Sequence, residues 1–164
     1  MAWGRSADAE ANLTALVHRQ SRFVFRVAWA VLRNVQDAED VVQETFLRIH
    51  RNAPEMDDER AFLATTAWRL AVDRRKSRRP DAEMPDLADT GRNPETAAVD
   101  TDWNTRIARM IDGLPEDLRQ PLVLSGIEEM TSPEIARVMG IPEGTVRTRI
   151  LRARQILKER LAHA

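Results

Sequence analysis

Residues 131–154, with the sequence TSPEIARVMGIPEGTVRTRILRAR, contain two helix signals separated by a turn. Thr131 and Glu134 have the spacing of a capping box, in which the threonine side chain caps the helix and the glutamate reaches back to the N–H of the cap residue. Gly140 is placed to end this helix, because the left-handed conformation of a C-cap favours glycine. The stretch 142–145 then opens another helix. The segment therefore predicts a short helix, a tight turn and a longer second helix.

The second of these helices has two distinct faces. Apolar side chains spaced by four, three and four residues are expected to face a core: Val146, Ile150, Ala153 and Leu157. The opposite face carries Arg147, Thr148, Leu151, Arg152 and Gln155. Arg149 and Arg154 flank that face and suit contacts with phosphates. Arginines and a threonine on the exposed N-terminal half of a long helix fit reading of the DNA major groove, although an ordinary solvated helix has a similar composition.

The rest of the chain also has helical periodicity, and no alternation of period two occurs, so an all-α fold is expected. In the first segment Phe23, Val27 and Val31 recur at helical spacing. A loop is expected at 52–60, followed by a helix over 61–77. One side of that helix is predicted to carry Phe62, Leu63, Thr66 and Leu70, with Asp73 as a candidate fifth member. Leu118, Leu122, Val123 and Ile127 indicate a further helix, and Pro121 is expected in or near its first turn, where the missing N–H costs little.

Charge is distributed in three blocks that the net charge of −1 conceals. Residues 60–80 contain seven basic residues and one acid, 81–102 contain seven acids and one arginine, and 131–162 contain seven basic residues and three acids. The acidic block also has prolines and few large apolar residues, which is typical of a flexible linker. The sequence therefore predicts two small helical domains, 9–79 and 103–162, joined by an acidic linker at 80–102.

Several classes of chemistry have no support in the sequence. The chain has no cysteine and only three histidines, which are far apart, and no H-E-x-x-H spacing is present. No phosphate-binding glycine loop or nucleophile–base pair occurs, so neither a metal, a cofactor nor an enzymatic activity is expected. The start of the chain lacks the apolar core of a signal peptide, and the most apolar stretch, 23–32, is too short to span a bilayer. We therefore expect no membrane insertion and a cytoplasmic location.

Two sets of residues resemble one protein family. The strings LPEDLR at 114–119, TSPEIARVMG at 131–140 and GTVRTRILRAR at 144–154 resemble region 4 of extracytoplasmic-function (ECF) sigma factors. The string DAEDVVQETFLR at 37–48 resembles region 2.2 of the same family. The resemblance implies a region 2 helix bundle and a region 4 helix-turn-helix domain. It also implies a transcription initiation factor that directs core RNA polymerase to promoters.

The resemblance assigns roles to three groups of residues. The groove-facing and flanking positions that would contact the minus-thirty-five element are Arg147, Thr148, Arg149, Leu151, Arg152 and Arg154. The positions that would bind polymerase are Asp40, Gln43, Glu44, Leu47 and Arg48. The positions that would contact the melted strand of the minus-ten element are Trp68, Arg69, Asp73, Arg74, Arg75, Lys76, Arg78 and Arg79. This chain departs from the family at Thr66, where many members have tryptophan, which leaves the pocket for the flipped base unassigned.

The resemblance also implies partners. These are the clamp coiled coil and the flap of core RNA polymerase, promoter DNA, and an anti-sigma factor that holds the protein inactive. Two other functions fit part of the sequence. A free-standing helix-turn-helix regulator would explain 131–154 but not 37–48, and a decoy that binds polymerase would explain 37–48 without any contact to DNA.

Overall fold

The computed structural model describes residues 3–78, 101–126 and 129–163, and within these ranges the chain forms seven α-helices and no strand. The helices are α1 Trp3–Leu32, α2 Val35–Asn52, α3 Glu59–Ser77, α4 Thr101–Asp112, α5 Glu116–Gly126, α6 Ser132–Met139 and α7 Glu143–Ala162. The all-α prediction is confirmed. The chain divides into two compact units, 1–83 and 84–164. Among the described helices, none combines the length and apolar character needed to cross a membrane.

The domain limits predicted from the sequence stay a prediction. Helix α4 begins at Thr101, two residues before the predicted start of the second domain. The flexible linker was predicted at 80–102, and all but its last two residues lie outside the described residues.

The N-terminal unit is a bundle in which α1, α2 and α3 all pack against one another. Its core contains the fully buried side chains of Val24, Val27 and Leu63. Asn34 caps α2, because its side chain accepts a hydrogen bond of 2.9 Å from the N–H of Asp37. Ala53 ends α2 in a left-handed conformation with φ of 40°. These local signals define the α1–α2 turn and the loop that precedes α3.

The buried face of α3 differs from the predicted one. It consists of Leu63, Ala64, Ala67, Trp68 and Ala71. Of the predicted stripe only Leu63 is buried, whereas Phe62, Thr66 and Leu70 are half-buried and Asp73 is exposed. Helix α3 packs against two helices at once, and the three alanines allow that close approach. The prediction was wrong because it left out Trp68 and the three alanines, which lie on the buried side of the helix.

The C-terminal unit contains α4 to α7, and α7 contacts each of the other three helices. Leu114, Leu118 and Ala153 form a buried cluster against which Leu122, Ile156 and Leu157 pack. Pro121 lies inside α5, which begins at Glu116. The prediction that it would lie in or near the first turn was therefore wrong, because the helix begins directly after Pro115 rather than closer to Pro121.

Candidate nucleic-acid and polymerase interfaces

The turn between α6 and α7 has the geometry that its sequence predicts. Thr131 Oγ1 accepts a hydrogen bond from the N–H of Glu134, and Glu134 Oε2 accepts one of 2.7 Å from the N–H of Thr131. Gly140 adopts φ of 68° and ψ of 35° at the C-cap of α6. Pro142 then precedes the first residue of α7. The capping box and the left-handed glycine are both confirmed, and they determine where α6 starts and where it ends before the turn that leads to α7.

Helix α7 presents the predicted face to solvent. Val146, Ile150 and Ala153 are buried against the rest of the unit, as predicted. The opposite face is exposed along its length: Arg147, Thr148, Leu151, Arg152 and Gln155. Leu151 is 69% exposed between arginines. An apolar side chain in that position can contact a thymine methyl group, while an adjacent arginine can bind guanine through two hydrogen bonds.

Two polar side chains on this face have partners on the same helix, within the part of the chain that the structure describes. Arg147 forms an ion pair with Glu143, one turn earlier. Thr148 Oγ1 donates a hydrogen bond of 2.9 Å to the carbonyl oxygen of Gly144. An exposed pair of this kind contributes about 0.5 kcal/mol or less, so DNA can displace it readily. Arg149 is half-buried and Arg154 exposed at the edges of the face. These positions fit the predicted duplex contacts, which stay a prediction.

Helix α2 presents the residues predicted to bind polymerase. Ala38, Val41, Thr45, Phe46 and Ile49 are buried within the bundle. On the other side Gln43, Leu47 and Arg48 are exposed, and Asp40 and Glu44 are half-buried. Leu47 is 44% exposed, and Arg48 Nε lies 3.1 Å from Glu44 Oε1. An exposed leucine within a polar rim is the composition expected for a small protein–protein contact.

An ion-pair cluster joins the first turns of α2 to the end of α3. Arg74 Nε donates a hydrogen bond of 3.1 Å to Asp37 Oδ1, and Arg74 Nη2 donates one of 2.6 Å to Asp40 Oδ2. Arg78 forms an ion pair with the other oxygen of Asp37. We call these four residues the α2–α3 cluster. Two of the basic residues predicted to contact the melted strand are therefore engaged by carboxylates of the same chain.

Asp37 belongs to this cluster but is not among the predicted site residues. It is one of the few buried charged or polar side chains among the described residues. Its position in the sequence predicts only an acid in the first turn of a helix, where the helix dipole favours a negative charge. A further signal was present, because Arg74 and Arg78 lie one helical turn apart and can both face one acceptor.

The remaining residues predicted to contact the melted strand have different environments. Arg69, Asp73, Arg75 and Lys76 are exposed on α3. Arg79 lies outside the described residues. Trp68 is only 6% exposed and belongs to the core of the bundle. A base could stack on Trp68 only if this side chain left the core, so the structure lends no support to that contact.

The start of α3 is anchored to α1 by a second polar network. Arg19 Nη2 lies 2.5 Å from Glu59 Oε1, and Gln20 Nε2 donates a hydrogen bond of 2.9 Å to Glu59 Oε2. The hydrogen bond from Arg19, assisted by the one from Gln20, lowers the pKa of the Glu59 carboxyl. The guanidinium of Arg60 also lies 4.6 Å from the centre of the Phe23 ring. Helix α3 is thus held at both ends by side chains of other helices.

These two units define a class of protein: a helical DNA-binding protein with a helix-turn-helix in one unit and a basic helix in the other. Comparison with known families is more specific. Residues 16–80 match the family Sigma-70 region 2, and residues 104–157 match the family Sigma-70, region 4.

Curated relatives extend over most of the chain. The ECF RNA polymerase sigma factor SigW of Bacillus subtilis is 33% identical over 154 residues, which cover 84% of this chain and 82% of the relative. The ECF RNA polymerase sigma-E factor of Haemophilus influenzae is 33% identical, with 86% of this chain and 84% of the relative covered. The chain belongs to the ECF RNA polymerase sigma factors. Proteins of this family are transcription initiation factors and not enzymes.

Solved structures agree with this assignment. The structure of CnrH in complex with the cytosolic domain of CnrY matches with a TM-score of 0.65 and 26% identity, covering 96% of this chain and 94% of that one. The sigma factor RpoE, in complex with the anti-sigma factor NepR from Bartonella quintana, has the same fold, with a TM-score of 0.64 and 19% identity over 92% of this chain and 97% of that one.

Proposed function

We propose that this protein binds core RNA polymerase and directs it to a specific set of promoters. The main support for this proposal is the exposed basic face of α7, because this face occurs in a chain that belongs to the ECF sigma factors. This function accounts for both units at once. A free-standing regulator would leave the α2 face without a role, and a decoy would leave the face of α7 without one.

The C-terminal unit would read the minus-thirty-five element as duplex DNA. Arg147 and Arg152 are the candidates for hydrogen bonds to base edges, and Leu151 is the candidate for apolar contact. Arg149 and Arg154, at the edges of the same face, would contact phosphates and set the register. In support of this assignment, the left-handed Gly140 ends α6 directly before the turn that leads into α7.

The N-terminal unit would bind the clamp coiled coil of polymerase through α2 and the melted minus-ten strand through α3. Leu47 is the apolar centre of the α2 face, and Gln43, Glu44 and Arg48 surround it. A basic track is the usual means of following a single-stranded backbone, and Arg69 and Lys76 would contribute to it. The flap of polymerase is the proposed contact of the C-terminal unit.

An anti-sigma factor is the proposed regulator. Both solved structures described above contain a sigma-like chain bound to a second protein. Because polymerase and chromosomal DNA are the proposed targets, we also propose that the protein acts in the cytoplasm.

The experiment that tests this function is run-off transcription on fragmented genomic DNA from the source organism, with core polymerase and the protein together. We expect discrete RNA 5′ ends that disappear when the protein is omitted, with two shared sequence elements upstream of them. If the folded protein binds core polymerase without producing new starts, the decoy function is favoured. If it fails to bind core polymerase but binds duplex DNA specifically, the free-standing regulator is favoured.

A further inference from the structure

The α2–α3 cluster places one arginine between two proposed binding surfaces. Arg74 belongs to the basic helix that would contact the melted strand, and it is held by the side chain of Asp40, which belongs to the face that would bind polymerase. The two hydrogen bonds of Arg74 use different nitrogens, Nε for Asp37 and Nη2 for Asp40. One of them can therefore be lost while the other still holds the side chain.

The two carboxylates differ in their access to solvent. The side chain of Asp37 is 9% exposed, and it also pairs with Arg78. The side chain of Asp40 is 40% exposed, and Arg74 itself is 41% exposed. A partner can reach Asp40 but not Asp37. Exposed ion pairs are weak, so a competing cation can exchange with Arg74 at Asp40.

We propose that Asp40 acts as a gate on Arg74. In the free protein Asp40 occupies the outer nitrogen of Arg74 in place of a DNA phosphate. When a cationic side chain of polymerase binds Asp40, that nitrogen becomes available to the backbone of the melted strand, while Asp37 keeps the guanidinium in position. This inference rests on the proposed function of α2 and α3.

The chemistry of the guanidinium group makes this exchange possible. Carboxylates and phosphates both accept charge-assisted hydrogen bonds from its fixed fork of donors. Asp40 therefore competes with a strand phosphate at Nη2, and its negative charge also offsets the positive charge that attracts the phosphate. The gate would make single-strand binding weaker in the free protein than on polymerase, so that the basic helix engages DNA mainly after docking.

The test uses the full-length protein without polymerase and a fluorescent oligothymidylate, with binding measured by anisotropy across a series of salt concentrations. The variant Asp40→Asn removes the competing charge and should free Arg74. One additional phosphate contact makes the plot of log K against log salt steeper by about 0.7 and tightens binding on the order of fivefold at low salt. Glu39→Gln is the matched control, since it removes one negative charge from the neighbouring exposed position of α2.

The double variant Asp40→Asn with Arg74→Gln completes the test. We expect the gain in affinity to disappear in it and to be absent in Glu39→Gln. Equal gains in Asp40→Asn and Glu39→Gln, a gain that survives the loss of Arg74, or no gain at all would each overturn the gate. Thermal melting checks that each variant is folded, and Asp40→Ser replaces Asp40→Asn if the latter is not.

This outcome is separate from the proposed function. If the wild-type protein supports no promoter-dependent transcription with core polymerase, the proposed function fails whatever the oligonucleotide shows. If transcription succeeds and the Asp40 variants bind the oligonucleotide as wild type does, only the gate fails.

Discussion

Helices α3 and α7 both carry clusters of arginine, but the two clusters are held in different ways. On α7, Arg147 forms an ion pair with Glu143 of its own helix, and the outward face is open to solvent. On α3, Arg74 and Arg78 are engaged by carboxylates of α2. A similar basic composition thus produces a face that is open to solvent in one unit and a face that is partly paired with carboxylates in the other. The difference shows that counting arginines does not measure how many can bind DNA.

The largest effect is expected for α7, whose basic face is open to solvent. Replacing Arg147 and Arg152 with alanine should lower promoter-dependent transcription on the order of 100-fold, because each arginine that contacts a base edge contributes about 1–3 kcal/mol. Run-off transcription with the assembled holoenzyme measures this loss. Lys158→Ala, which removes an exposed charge further along α7, is the control for Arg152→Ala and should reduce transcription less than threefold. Equal losses of transcription in Arg152→Ala and Lys158→Ala would show that α7 contributes only non-specific electrostatic attraction to DNA.

In the α2–α3 cluster, a substitution should change the free energy of unfolding more than it changes DNA binding. Asp37→Asn should lower the free energy of unfolding by about 2 kcal/mol, since two guanidinium groups lose a buried carboxylate, although their own exposure reduces the cost. Urea denaturation measures the change. Asp57→Asn, in the exposed loop before α3, is the control and should change stability by less than about 0.5 kcal/mol. An unaffected Asp37→Asn would mean that the α2–α3 cluster does not hold α3 in place.

The turn before α7 should show a smaller effect. Gly140→Ala should destabilise the C-terminal unit by about 1 kcal/mol, because the residue has φ of 68° and no neighbouring atom that would clash with a methyl group. The cost is therefore conformational. Gly144→Ala is the matched control, since that position is helical and also has open space, so alanine should be neutral or slightly stabilising there. Thermal unfolding compares the two, and equal destabilisation would argue against the left-handed cap.

The smallest effect is expected at the start of α3 and depends on pH. The lowered pKa of Glu59 means that its ionised form is favoured in the folded state. Its contribution is present above the ordinary carboxyl pKa of about 4.3 and is lost as the pH falls through the lower folded value. Glu59→Gln should therefore lower Tm by roughly 2 °C at neutral pH. The difference in Tm between wild type and variant should disappear below about pH 4. Glu55→Gln, in the exposed loop before α3, is the control. A difference in Tm between wild type and Glu59→Gln that stays constant with pH would contradict the ion pair between Arg19 and Glu59.

Much of the C-terminal unit was predictable from its sequence. The capping box at Thr131 and Glu134, the left-handed Gly140 and the buried side of α7 were all predicted and are confirmed. Each of these depends on residues within a few positions of one another. Capping, chirality and the period of 3.6 residues are local properties, so a single stretch of sequence determines them.

The N-terminal unit depended more on tertiary structure. The buried face of α3, the burial of Trp68 and the pairing of Arg74 with Asp37 and Asp40 all arise from contacts between helices. These partners are more than thirty positions apart in the chain, and their meeting depends on how α2 and α3 cross. The sequence by itself determined the helices, the turn before α7 and the family. Only the tertiary structure decided that Arg74 and Arg78 are paired with carboxylates of α2, because that depends on the position and rotation of each helix against its neighbours.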